Sequence, residues 1–174
     1  MNIGILQPGD MGITLALPLQ RAGHKIYWSS VSRSKQTKDK AHQYDILDAG
    51  KVSNVLDTCS IVFIICKNGG PVELADQICN YNYSGIVCDA NNLWGQESEI
   101  ELRNKYFNAG VKYVDASLWG WPHNKSLEFS SDRTMFLYGK NSQIIKSLFI
   151  DDYWKIEILN HSAKAHKRML SEKQ

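Results

Sequence analysis

No apolar run in the chain approaches the roughly 20 residues that cross a bilayer, and the amino terminus lacks the basic segment and apolar stretch of a secretory leader. The expected location is therefore the cytoplasm. Cysteine is sparse: the four residues at 59, 66, 79 and 88 form no C-x-x-C pair. Cys66 and Cys88, in or beside apolar runs, read as reduced thiols that pack as small hydrophobes. Neither sign of charge dominates, because 20 basic residues against 18 acidic ones leave a formal net charge of +2. So weak a field selects neither nucleic acid nor an anionic membrane, and the expected partner is a small molecule. Of the five histidines, His161 and His166 are five apart, off the spacing that places two ligands on one helical face. With no Asp or Glu cluster beside them, no metal is expected. No repeat, low-complexity tract or proline-rich linker divides the 174 residues, which suffice for one sizeable core.

What is present is an alternation of short apolar runs with amphipathic stretches. The runs are Ile3 to Leu6, Lys25 to Trp28, Ile61 to Ile65, Ile86 to Cys88, Val111 to Val114, Thr134 to Tyr138 and Trp154 to Leu159. Strands of this kind, apolar on both sides and separated by helices, suit a doubly wound α/β fold with a mostly parallel sheet. Helices are expected at Asp10 to Arg21, Ser34 to Gln43, Val52 to Asp57, Pro71 to Asn80, Gln96 to Asn108 and Ser142 to Phe149. Pro18 falls inside the first and predicts a kink or an early end, since it removes a donor and crowds the preceding turn. Trp119 to Asp132 reads as the only long irregular stretch, and residues 160–174 as the beginning of a polar helix after a domain spanning 1–159.

The first strand breaks at Gly9 and restarts as a helix beside Gly12. At a first strand-to-helix junction this pattern brings bare backbone N–H groups to a dinucleotide pyrophosphate, helped by the partial positive charge of the helix amino terminus. The full fingerprint is G-x-G-x-x-G; here the three positions hold Gln7, Gly9 and Gly12, and the missing first glycine, next to Pro8, implies a differently shaped turn. A carboxylate after the second strand would accept a ribose 2′-hydroxyl and repel a 2′-phosphate. The chain instead reads Ser29-Ser30-Val31-Ser32-Arg33-Ser34-Lys35. Arg33 offers a bidentate fork and Ser32 and Ser34 offer hydroxyl donors, which together favour NADP over NAD. The competing reading is a solvated loop with Ser34 capping the next helix.

Four segments in order carry a family resemblance: Ile3 to Gly12 with its Pro-Gly-Asp-Met-Gly loop, Ser30 to Ser34, Val87 to Asn92, and Tyr113 to Gly120. Spread over about residues 1 to 160, they resemble the NADP-binding Rossmann domain of the 6-phosphogluconate dehydrogenase and 3-hydroxyisobutyrate dehydrogenase superfamily, the β-hydroxyacid dehydrogenases. The phosphogluconate dehydrogenase-like branch is the nearer match. The resemblance implies NADP as cofactor, held by Gly9, Asp10, Met11 and Gly12 at the phosphates and by Ser30, Ser32, Arg33 and Ser34 at the ribose. It further implies that Cys66, Lys67 and Asn68 lie along the cofactor near the nicotinamide ribose, that Asn91 lies on the nicotinamide side, and that Gly120 faces the substrate. A cap on the helix beginning near Gln96 is the alternative role for Asp89 and Asn91.

Two departures from the family stand beside these agreements. Trp119 occupies the place of a substrate-binding serine and is followed by Gly120, Trp121 and Pro122, so an ordinary small hydroxyacid is not expected to be held in the usual way. Trp119 and Trp121 form an aromatic wall, pack in the core, or face a missing partner. The family's catalytic lysine aligns with Lys167, with Lys164 as its rival one turn earlier, but the chain stops seven residues after Lys167. Little is then expected to bury it, and a solvated face is the competing reading. The family's helical carboxyl-terminal domain is expected to be absent or truncated. Two functions follow: an NADP-dependent oxidoreductase moving a hydride between the nicotinamide and a small hydroxyl or carbonyl compound, or a non-catalytic NADP(H)-binding module or part of a split enzyme. A second copy of the chain or a separate helical chain is the expected protein partner.

Overall fold

The computed structural model describes residues 1–66, 70–91, 96–123 and 133–171. In chain order they form β1 (Asn2–Leu6), α1 (Asp10–Arg21), β2 (Lys25–Trp28), α2 (Lys35–Gln43), β3 (Leu47–Asp48), α3 (Val52–Thr58), β4 (Ile61–Ile64) and α4 (Gly70–Asn80). Then follow β5 (Ile86–Asp89), α5 (Gln96–Asn108), β6 (Lys112–Trp119), β7 (Thr134–Tyr138), α6 (Ser142–Lys146), β8 (Lys155–Ile158) and α7 (Ala163–Ser171).

The strands form one sheet in the order β3-β2-β1-β4-β5-β6-β7-β8. Every pairing is parallel except β6 with β7. The doubly wound reading of the sequence therefore holds, and the alternation along each strand shows why. Ile61 and Phe63 enter one core with Ile3, Ile5, Leu15 and Leu19, while Val62 and Ile64 enter the other with Leu6, Val55, Leu74 and Ile78. A strand that feeds two cores has no polar face, so its sequence reads as an unbroken apolar run. Gly4 lets α3 pack close on the sheet: a Cβ there would lie 2.6 Å from Val55 Cγ1 of α3.

β6, β3 and α6 differ from the sequence reading, α6 ending at Lys146 rather than Phe149. β6 continues past Val114 to Trp119, because β7 lies antiparallel to it over Asp115 to Trp119 and completes the ladder. β3 has only two residues, both exposed, and so carries no apolar signal. α1 spans Asp10–Arg21 as expected, without the early end that Pro18 allowed. Proline at 18 leaves the Thr14 carbonyl without its i+4 donor, and the Trp154 indole N–H, 3.4 Å away, faces that carbonyl instead.

The sheet reverses winding between β1 and β4, whose carboxyl ends therefore flank a crevice. Crevices of this kind are where open α/β sheets bind ligands. α7 packs on β6 and β7 at the side of the same sheet.

Candidate functional site

Gln7, at the end of β1, has a φ of +68°. A glutamine here takes the left-handed conformation that a glycine adopts without strain. The chain reverses tightly, with Gly9 N–H donating to Gln7 O at 2.8 Å, and α1 starts as Ile13 N–H donates to Gly9 O at 2.9 Å. No side chain caps this helix. Its first-turn amides are consequently open to an anion. A Cβ on Gly9 would meet nothing within 4 Å, whereas one on Gly12 would crowd Gln7 O at 3.2 Å and Ile5 Cγ2 at 3.3 Å. Gly9 keeps space clear in front of the helix, and Gly12 lets the helix sit close behind the loop. The Asp10 carboxylate is paired with Lys40 of α2.

Two clefts open on either side of this loop and share Gln7. One, of about 790 Å³, is lined by Ser29, Val31, Ser32, Arg33, Leu56 and Gln77 among others. The second, of about 660 Å³, is lined by Gly9, Met11, Gly12, Cys66, Asn91 and Leu118 among others. At the β2 end, a turn closed by Arg33 N–H donating to Ser30 O places Ser32 at a φ of +61° and Arg33 behind it. The Arg33 guanidinium folds back over the loop against the Gln7 amide; with that amide turned so that its oxygen faces the donors, Oε1 accepts from Nη1 at 2.8 Å and Nη2 at 3.2 Å. Arg33 Nε is buried and has no hydrogen-bond partner among the described residues. Ser34 does cap α2, accepting from Thr37 N–H at 3.3 Å, while also lining the second cleft.

The floor of the second cleft is tied together by Asn91, which is 2% exposed. Its Oδ1 accepts from Cys66 N–H at 2.7 Å, and its own N–H and Nδ2 donate to Asp89 Oδ1 at 3.0 and 2.6 Å. These bonds join the ends of β4 and β5. Burial, with Asp89 nearby, pushes the Cys66 thiol up to about 12, so it is protonated and inert near neutral pH. Lys67 and Asn68 lie outside the described residues. Leu118 and Pro122 form the far wall. Trp119 is half-buried at the end of β6, and Gly120 and Trp121 are exposed as the chain leaves the strand, Trp121 with its carbonyl accepting from Arg133 Nε at 2.9 Å.

The carboxyl-terminal lysines are not on a solvated face, which corrects the sequence reading. Lys164 is 3% exposed, and its Nζ donates to Asp115 Oδ1 at 2.7 Å, Asp89 O at 2.9 Å and Ala116 O at 3.4 Å. Burial alone would lower its pKa, but the Asp89 and Asp115 carboxylates outweigh that and hold it above the ordinary lysine value. Asp115 Oδ2 also accepts from Ser162 Oγ at 2.8 Å and Ala163 N–H at 2.9 Å, capping α7 from the strand beneath it. Docked in this way, α7 brings Lys167 to the end of β6, where its Nζ donates to Leu118 O. Partial burial lowers the Lys167 pKa. The partners of Lys164 are far away in the chain, so nothing local signalled them. His161 and His166 also meet: the coil before α7 sets His161 Nε2 3.1 Å from His166 Nδ1, despite their off-face spacing. Among the described residues no group of three or more His, Cys, Asp or Glu is placed to hold a metal, and no helix is long and apolar enough to cross a membrane.

Residues 2–122 match the family described as the NAD binding domain of 6-phosphogluconate dehydrogenase. No curated protein matches the chain. Among solved structures, a conserved protein of unknown function, described as structurally similar to 3-hydroxyacid dehydrogenases, superposes with a TM-score of 0.83 at 21% identity, over 99% of this chain and 64% of that one. An imine reductase from Bacillus cereus gives 0.77 at 9% identity, over 98% and 59%. An imine reductase from Myxococcus stipitatus in complex with NADP+ gives 0.76 at 11%, over 99% and 61%. The chain thus spans less than two thirds of the length of these structures.

Proposed function

The chain belongs to the family of the NAD binding domain of 6-phosphogluconate dehydrogenase, and from that premise we propose that it binds NADP(H) for an oxidoreductase acting on a small hydroxyl or carbonyl compound. The donor set fits such a cofactor. Open amides stand at the start of α1, Gly9 leaves space in front of them, and Arg33 keeps a buried Nε without a hydrogen-bond partner among the described residues. In this reading Gly9, Asp10, Met11 and Gly12 hold the pyrophosphate through their backbone. Arg33 grips the 2′-phosphate, Ser30 and Ser32 flank it, and Ser34 shapes the loop as the cap of α2. Cys66 and Asn91 form the neutral floor of the nicotinamide end, and Trp119 and Gly120 lie on the substrate side. When bound, the nicotinamide supplies or accepts the hydride.

Lys167 is the residue we assign to the proton. Its ammonium is held at the Leu118 carbonyl, beside the cleft wall, and desolvation makes it a better proton donor than a fully solvated lysine. Lys164, locked by Asp89 and Asp115, serves to seat the helix that carries Lys167.

The observation that carries the NADP choice is Arg33 in the turn after β2, in a cleft that also holds Ser29, Ser32, Lys51 and Glu73. Fluorescence titration tests it. NADPH should bind about 10- to 100-fold tighter than NADH, and Arg33→Ala should abolish most of that difference, as loss of charge-assisted hydrogen bonds does. Equal weak binding of both nucleotides, unchanged by Arg33→Ala, overturns it. Tight NADPH binding without turnover of hydroxyacids, imines or ketones favours a non-catalytic module or one part of a split enzyme.

A further inference from the structure

Gln7 holds a conformation in which a side chain costs stability, and the function above makes no use of that side chain. At a φ of +68° a glycine is unstrained and a glutamine is not. Backbone geometry alone therefore gives no reason for a glutamine. What the side chain gains is Arg33. In the amide orientation that sets oxygen against donors, its Oε1 accepts from both Nη1 and Nη2, at 2.8 and 3.2 Å, across the ends of β1 and β2. Gln7 is also a residue common to the linings of the two clefts, so this contact sits where they meet. A guanidinium has five N–H donors, and a single amide oxygen occupies two of them. The remaining donors include the buried, unpartnered Nε. A long side chain that is otherwise free to sample many rotamers is thereby fixed before any ligand arrives, which lowers the entropy lost on binding.

We propose that Gln7 is a specificity-determining positioning residue: it holds the Arg33 guanidinium in the orientation that receives a ribose 2′-phosphate, so that it sets the preference for NADPH over NADH. The inference rests on the reading of Arg33 as the phosphate-binding residue.

The test uses the full chain and four proteins: wild type, Gln7→Gly, Arg33→Ala and the double variant. Each is titrated with NADPH and with NADH and melted without ligand. Gln7→Gly removes the amide and relieves the backbone, so its melting temperature should stay level or rise by roughly 2–4 °C. NADPH affinity should nevertheless fall roughly tenfold, with NADH within about twofold of wild type. A loss caused by loop damage would lower both nucleotides together and the melting temperature with them. In the Arg33→Ala background, Gln7→Gly should change neither affinity further. If Gln7→Gly leaves the NADPH-to-NADH ratio unchanged, or tightens NADPH because the amide had been withholding Arg33, the proposal is overturned while the NADP reading stands. If Arg33→Ala itself leaves the ratio unchanged, the NADP reading falls and takes the role of Gln7 with it.

Discussion

The loop after β1 and the anchor beneath α7 are both polar, and they treat polar groups in opposite ways. At the anchor, every Lys164 donor has an acceptor and Asp115 is shared among Lys164, Ser162 and the start of a helix. At the loop, a helix begins with no side-chain cap, Arg33 Nε has no hydrogen-bond partner among the described residues, and Gln7 sits in a strained backbone conformation. A buried charge that holds structure together is stable only when satisfied, because low dielectric penalises what is left over. A site that receives an anion must leave donors open and rely on the surrounding fold to tolerate them.

Breaking the anchor should have the largest effect. Lys164→Met strands two carboxylates in the interior, and a loss of roughly 3–5 kcal/mol is expected in chemical denaturation, since one partner of a buried pair is removed. The pH dependence has a defined sign. The Lys164 pKa in the folded chain lies above the ordinary 10.5, so its contribution to stability is complete below pH 10.5 and is lost as pH rises through the raised value. A wild-type stability that stays flat through that range while Lys164→Met remains fully stable contradicts the role given to the anchor.

The loop should respond in its own way. Gly12→Ala places a Cβ against Gln7 O and Ile5 Cγ2, and overpacking of this kind costs roughly 1–3 kcal/mol together with nucleotide affinity. Gly9→Ala sharpens the contrast because its Cβ enters open space. Stability should change by no more than about 0.5 kcal/mol while NADPH affinity falls. Equal melting curves and equal affinities for Gly9→Ala and wild type show that the space in front of the helix is unused.

The loop was legible in the sequence because its requirements are local: a backbone that turns within a few residues needs small ones at fixed offsets, and Gly9 and Gly12 supply them. The central strands were legible because burial on two faces leaves a run such as Ile61 to Ile64 with no polar member. Gln7 gave no sign that its backbone is left-handed, and its partner Arg33 lies across a strand boundary. The anchor was misread. Lys164 and Lys167 sit in a polar run that reads as solvated, and only the docking of α7 onto Asp115, 49 positions earlier for Lys164, puts them inside. β6 looked shorter than it is for a related reason, because its last residues are organised by β7 rather than by a periodicity of their own.

In the proposed function the loop receives a dinucleotide while the anchor only supports it. Backbone amide chemical shifts recorded during NADPH titration test this most directly. Saturable shifts are expected to concentrate at Gly9 to Gly12 and Ser30 to Ser34, with Asp115 and Ser162 to Lys164 nearly unmoved. Shifts centred on the anchor, or none at the loop at saturating NADPH, would contradict it.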